Sequence, residues 1–151
     1  MRFCFVLLAG LLLGGCADKC APSESCANLE FANALDGSWT LAGTAPYQSL
    51  RIQFTANGTR VSGTGTYGGL GRSGVVKALG DVETQPAFFP PSGAAEIPAR
   101  ASLVMDFSYD DGTSAHLDQS WLTGADTLRG VLSFISPQNA VSYGVVFVKA
   151  P

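Results

Sequence analysis

Charge is scarce in this chain. Nine Lys and Arg and twelve Asp and Glu are spread over 151 residues, with no run of basic side chains. A phosphate backbone needs a concentrated basic surface, so a nucleic-acid partner is not expected. Histidine occurs once, at His116, which removes any chemistry built on paired imidazoles. Only four cysteines are present, too few for a disulfide-dense scaffold. Apolar stretches of membrane-spanning length are lacking too, since the longest, Phe3 to Leu13, falls short of the ~20 residues a helix needs to cross a bilayer. Eighteen glycines and eight prolines are, by contrast, plentiful and indicate a turn-rich β protein.

The short apolar stretch is informative for what surrounds it. Arg2 precedes it, and Leu13-Gly14-Gly15-Cys16 ends it. A basic start, a brief apolar run and small residues before a cut site define an export signal rather than a permanent span. Leu-Gly-Gly-Cys resembles the lipobox of bacterial lipoproteins. That resemblance implies cleavage after residue 15, acylation of Cys16 (a palmitate-type anchor) and attachment to a membrane of the cell envelope. Ala17 rather than Asp follows the lipidated position, with Asp18 one residue further on, which favours the outer membrane, facing the periplasm. A multi-acyl anchor holds stably where a single chain does not.

The expected organisation is therefore a signal peptide over 1–15, a lipidated polar tether over 16–35 and a single β domain over 36–151. Cys20 and Cys26 remain as one possible disulfide pair in a compartment that permits oxidation. Closing so short a loop would contribute at most about 2–3 kcal/mol. With no neighbouring histidine, these cysteines do not make a zinc set, and no metal or other cofactor is expected. Leu29 to Leu35 has near-helical spacing for about one turn, too short to hold alone.

From Trp39 onward the apolar period is two. Leu50, Ile52 and Phe54 alternate with Arg51, Gln53 and Thr55, and Asn57-Gly58 follows as a hairpin turn. The pattern predicts strands near 38–43, 48–56, 59–67, 74–83, 100–109, 113–122, 126–135 and 141–149. Eight sequential strands joined by turns favour an all-β, antiparallel up-and-down barrel, because closure removes both open edges. An open β-sandwich or meander is the alternative. Gly37-Ser38-Trp39, at the start of the first strand, resembles the Gly-x-Trp signature of the calycin superfamily of lipocalins, fatty-acid-binding proteins and avidins. The resemblance implies a calycin-like barrel in which a basic residue of the last strand, here Lys149, packs near that Trp. The longer lipocalin motifs and the avidin biotin contacts are absent, so no named ligand carries over.

On this register Tyr67, Phe107, Tyr109, Trp121 and Tyr143 point inward, as core or as the lining of a site for a small apolar or amphipathic ligand. The loops near Pro46-Tyr47, Gly68 to Ser73, Asp110 to Gly112 and Pro137 to Asn139 share one mouth. The Asn57-Gly58 turn, the 85–99 loop and the Gly124 turn share the other, where the tether enters. Phe88-Phe89-Pro90-Pro91 is expected to plug that second end, with bilayer contact as the alternative.

Other motifs dissolve in context. Gly63 to Gly68 matches Gly-x-Gly-x-x-Gly, but inside a strand with no helix to receive a pyrophosphate, so the glycines instead mark bending or close backbone approach. Ser114, His116, Asp118 and Ser120 share one strand at about 7 Å per two residues, too far apart for a catalytic triad. Asp106, Asp110, Asp111 and Asp118 lack a calcium-loop spacing. The resulting expectation is a nonenzymatic envelope lipoprotein that binds a small apolar or amphipathic molecule. The alternative is a protein-interaction or structural module, or a barrel-type inhibitor, with an envelope protein as partner.

Overall fold

The computed structural model describes residues 26–42, 49–69, 71–90, 93, 95–135 and 140–151. Cys16, Cys20, the signal region and the loops at Pro46-Tyr47 and Pro137 to Asn139 lie outside the described residues. One helix, α1 (Cys26–Leu35), precedes eight strands: β1 (Gly37–Ala42), β2 (Ser49–Asn57), β3 (Arg60–Gly69), β4 (Arg72–Gln85), β5 (Arg100–Tyr109), β6 (Ser114–Thr123), β7 (Thr127–Ile135) and β8 (Ala140–Lys149). Each strand pairs antiparallel with the next, and β8 returns to pair with β1 through Trp39 opposite Lys149 and Leu41 opposite Phe147. The sheet is a closed barrel, and the open alternative is excluded.

Closure follows from the alternation. Leu50, Ile52 and Phe54 face in and are almost fully buried, while Arg51 and Gln53 between them are exposed. Apolar side chains thus fill the interior and polar ones cover the wall, the reverse of a transmembrane barrel. Among the described residues no helix is long and apolar enough to cross a membrane. Gly65 lies where two strand backbones approach closely, because a Cβ there would run into the Arg51 carbonyl oxygen. In the Gly-x-Gly pattern, close backbone approach thus accounts for Gly65, while Gly63 makes room for the side chains of Ile52 and Phe54.

One end of the barrel is stoppered by α1. Asn28, Phe31, Ala32 and Leu35 form its buried face, and the helix packs against β2, β4 and β5. Residues 26–35, part of the segment expected as tether, are thus packed against the barrel. The helix is too short to be stable by itself and is held by that face. Its C-terminal carbonyls, which lack partners within the helix, are met by the barrel. Trp39 donates its indole N–H to the Leu35 carbonyl at 2.7 Å, and Lys149 donates Nζ to the Ala34 carbonyl at 2.8 Å. Lys149 also lies over the Trp39 ring, 5.5 Å from its centre. Its stem passes so close to Gly37 that a Cβ there would sit 2.9 Å from Lys149 Cε, and Gly37 has φ +125°. Gly37, Trp39 and Lys149 therefore act together as a helix-docking device.

The expected plug is corrected by the same arrangement. With α1 in the barrel end, Phe88 and Phe89 remain 52% and 70% exposed.

Candidate functional site

The end opposite α1 gathers four of the aromatic residues. Tyr67 from β3 meets Tyr109 from β5 edge-to-face at 5.1 Å, Tyr109 meets Phe134 from β7 at 6.1 Å, and Phe134 meets Tyr143 from β8 at 6.0 Å. Tyr67 and Tyr109 are buried, whereas Phe134 and Tyr143 are partly buried against the core. Phe107 lies deeper and is fully buried, stacked on Phe147 at 6.5 Å. Four of the five sequence-selected residues therefore face the interior, and three of them, Tyr67, Tyr109 and Tyr143, share one end.

Trp121 does not join them. The β6–β7 register shifts between Asp118 and Trp121, and Gln119 adopts φ +46°, a left-handed conformation uncommon for a non-glycine residue. The bulge inverts the alternation beyond it. Ser120, expected on the outer face beside His116, turns inward to complete burial, and Trp121 turns out, with the Arg100 guanidinium 4.5 Å from its ring centre. Ser120 secures the bulge by accepting from the Leu103 N–H at 2.8 Å and donating to the Leu103 carbonyl at 2.7 Å.

Two acidic residues at this end, Asp110 and Asp111, have structural partners. Asp110 accepts from the Tyr67 hydroxyl at 2.9 Å and from the Val75 N–H at 2.9 Å. The Val75 amide, followed by the Tyr67 hydroxyl, holds the Asp110 carboxyl below its usual range. Burial, with the carboxylate beside it, pushes the Tyr67 phenol up to about 12. Asp111 accepts from the Thr113 N–H and pairs with Arg72 at 3.2 Å, and its carboxyl is lowered first by Thr113. These contacts fasten the β3–β4 and β5–β6 turns to each other at the aromatic end.

A row that was not anticipated crosses the outer wall. Asp106, His116, Ser133 and Ser142 are successive register partners on β5 to β8. Asp106 Oδ1 lies 2.7 Å from His116 Nδ1, and the Ser133 and Ser142 hydroxyls are 2.8 Å apart. His116 thus finds its carboxylate across the hairpin and not along its own strand. The signal was available, since residues 106 and 116 are equidistant from Asp111 in the turn. The row lies on an open wall, with the Asp106 side chain 79% exposed and no enclosure to exclude water from a reacting group. Among the described residues no group of three or more metal-ligating side chains converges. Cys26 is disulfide-bonded, and Cys20, its expected partner, lies outside the described residues.

Among the described residues the barrel interior is closely packed. Trp39, Phe54, Phe107 and Phe147, along with Leu50, Leu103, Leu117, Leu128 and Leu132, are each under 2% exposed. A water-sized void beside any of them would leave accessible surface. Among the described residues, the outer wall carries a hollow of about 280 Å³ at Gln85 to Phe88 and Gln119 and two roomier ones. One is floored by Ser38, Thr40, Arg51, Gln53 and Thr66, with a volume of about 510 Å³, and the other by Ser62, Thr64, Lys77, Leu79, Asp106 and Ser108, with about 480 Å³.

Compared with protein-family models, with curated proteins and with solved structures, the chain has no significant match. The class is accordingly defined by architecture: a closed eight-stranded, all-antiparallel, up-and-down barrel, compatible with the calycin-like fold.

Proposed function

We propose that this chain is a lipid-anchored lipoprotein of the bacterial cell envelope, attached through Cys16 at the outer membrane and facing the periplasm. Its barrel acts without catalysis, as an interaction or structural module, or as a barrel-type inhibitor. The outer wall and the loops at the aromatic end are presented to an envelope protein. The observation that carries this choice over an internal ligand is the filled interior. An eight-stranded barrel has room inside for side chains or for one small ligand, and here side chains occupy that space. The anchor rests on Leu13-Gly14-Gly15-Cys16 and the apolar run before it.

A second reading is favoured by one specific feature. Phe134 and Tyr143 are only partly buried beside Tyr67 and Tyr109, so a small amphipathic molecule would find an aromatic seat at that end without entering the core.

Native mass spectrometry of the mature protein purified from its own envelope, with a denatured control, separates the two. A protein partner at fixed stoichiometry on an otherwise apo barrel supports the interaction module. A discrete small mass released on denaturation supports the ligand carrier. The denatured mass also reports whether residue 16 begins the chain and carries acyl groups. His116→Ala is expected to leave the in vivo phenotype intact, and its loss would restore catalysis to consideration.

A further inference from the structure

At the α1 end β4 and β5 stay paired as a ribbon past the last β3 partner, while β6 still runs alongside β5 at Ser120 and Trp121. Pairing between β3 and β4 stops at Arg60 opposite Asp81, yet β4 and β5 stay paired to Gln85 opposite Arg100. Phe88 and Ile97 then exchange two backbone hydrogen bonds of 2.9 Å. Gln85, Pro86, Ala87 and Phe88 share a hollow with Gln119, so this stretch stays beside the β6 bulge. The apolar side chains of this segment are uncovered: Phe88 is 52%, Phe89 70% and Ile97 37% exposed. Residues 86–99 contain one charged side chain, Glu96, and four prolines. Proline withholds the N–H groups that an added strand would need, so the ribbon is poorly suited to pairing with another β edge.

Its position relative to the tether identifies the occupant. Asn28, near the N-terminus of α1, donates Nδ2 to the Thr84 hydroxyl at 3.2 Å, four residues before Phe88. Cys26, two residues ahead of Asn28, therefore opens the described chain at the root of the ribbon. Ten residues separate Cys16 from Cys26, which at about 3.3–3.6 Å each limits the distance between the lipid and this end to roughly 35 Å. At the start of β5, Arg100 lies over Trp121, and Trp121 is paired with exposed Arg129. Tryptophan and arginine suit the headgroup level of a bilayer, and unpaired phenylalanines suit the layer beneath.

We propose that the tip of the β4–β5 ribbon, Phe88, Phe89 and Ile97, is a second membrane contact that inserts into the interfacial layer of the bilayer holding the lipid anchor. It fixes the barrel's orientation and directs the aromatic end away from the membrane. The inference rests on the lipid-anchored reading, and the test keeps the two apart.

The full lipidated protein is reconstituted in vesicles of phosphatidylethanolamine and phosphatidylglycerol brominated at defined acyl positions. Phe89→Trp is compared with Val141→Trp, an exposed apolar position at the aromatic end, after subtracting the emission of the native protein. The added indole at position 89 is expected to be quenched, most strongly by bromines near the top of the acyl chain, at the about 5–10 Å depth of interfacial segments. The one at position 141 is expected to escape quenching. Equal, weak quenching at both positions, with acyl groups on Cys16 verified by mass, overturns the membrane contact and leaves the anchor standing. If mass spectrometry finds no acyl group, the anchor reading fails. Sedimentation of the same protein with added vesicles then decides the ribbon by itself. Binding reduced at least about tenfold by Phe88→Ser with Phe89→Ser supports it, and no binding, or binding unchanged by the pair, overturns it.

Discussion

Replacing Trp39 with Phe isolates the hydrogen bond that docks α1. The ring stays apolar and nearly fills the space, but the Leu35 carbonyl loses the indole N–H that reaches it at 2.7 Å. Trp39 is fully buried, so water cannot readily replace the lost donor. A buried carbonyl left unpaired costs about 1–3 kcal/mol. The smaller ring leaves a gap worth about 1 kcal/mol more. The expected loss is about 2–4 kcal/mol, a large share of the 5–15 kcal/mol typical of a folded domain. Urea unfolding followed by circular dichroism measures it, and the transition should keep its slope. Amide exchange should quicken first in α1, because the perturbed carbonyl ends that helix. Lys149→Met removes the other donor to the same helix end, so the two substitutions should couple by about 0.5–3 kcal/mol in a double-mutant cycle. A loss below about 0.5 kcal/mol for Trp39→Phe, the level of an ordinary surface change, would refute the docking argument.

Gly65→Ala is expected to cost about 3 kcal/mol or more, since its Cβ meets strand backbone, whereas Gly63→Ala meets the movable ends of Ile52 and Phe54 and should cost about 1 kcal/mol; equal losses in thermal melts would contradict this. Ser120→Ala strips both hydrogen bonds from Leu103 and should lower stability by about 2–4 kcal/mol in urea, with amide exchange rising locally around the β6 bulge. For Tyr67 the folded phenol titrates above the free one, so its contribution is complete below about pH 10 and is lost as pH rises through about 12. Phenolate absorbance should show a step near pH 12 that disappears in Tyr67→Phe. Asp110 works in the opposite sense. Its carboxyl is lowered on folding, so its contribution is complete above about pH 4 and is lost as pH falls through the folded value; Asp110→Asn should flatten the acid limb of a stability-versus-pH curve.

Most of the barrel could be read from residues that alternate. Leu50, Ile52 and Phe54 faced inward as their period required, and Trp39 with Lys149 marked the seam between the first and last strands. Four features were hidden for physical reasons. Trp121 was misplaced because one residue, Gln119, leaves the extended conformation, and no period survives an inserted residue. Helix α1 was underestimated because its buried face opens on a polar residue: Asn28, Phe31, Ala32 and Leu35 keep helical spacing, yet only three of them are apolar. Once α1 occupied the barrel end, Phe88 and Phe89 could not fill it, so their exposure follows from an element elsewhere in the chain. The cross-strand pairing of Asp106 with His116 required the hairpin register, which single-strand spacing does not contain.

The capped helix also determines how the domain responds to force. Any load arriving through the residues before Cys26 enters at α1 and passes to the barrel along the contacts of Phe31, Ala32 and Leu35 and the two donors, Trp39 and Lys149. A pull on a terminal edge strand opens a sheet one hydrogen bond at a time, like a zipper. A pull on a helix seated in a barrel end must shift its whole buried face and both carbonyl caps together. The seam between β1 and β8 is thereby shielded, because a load from that side meets the stopper before it meets the wall.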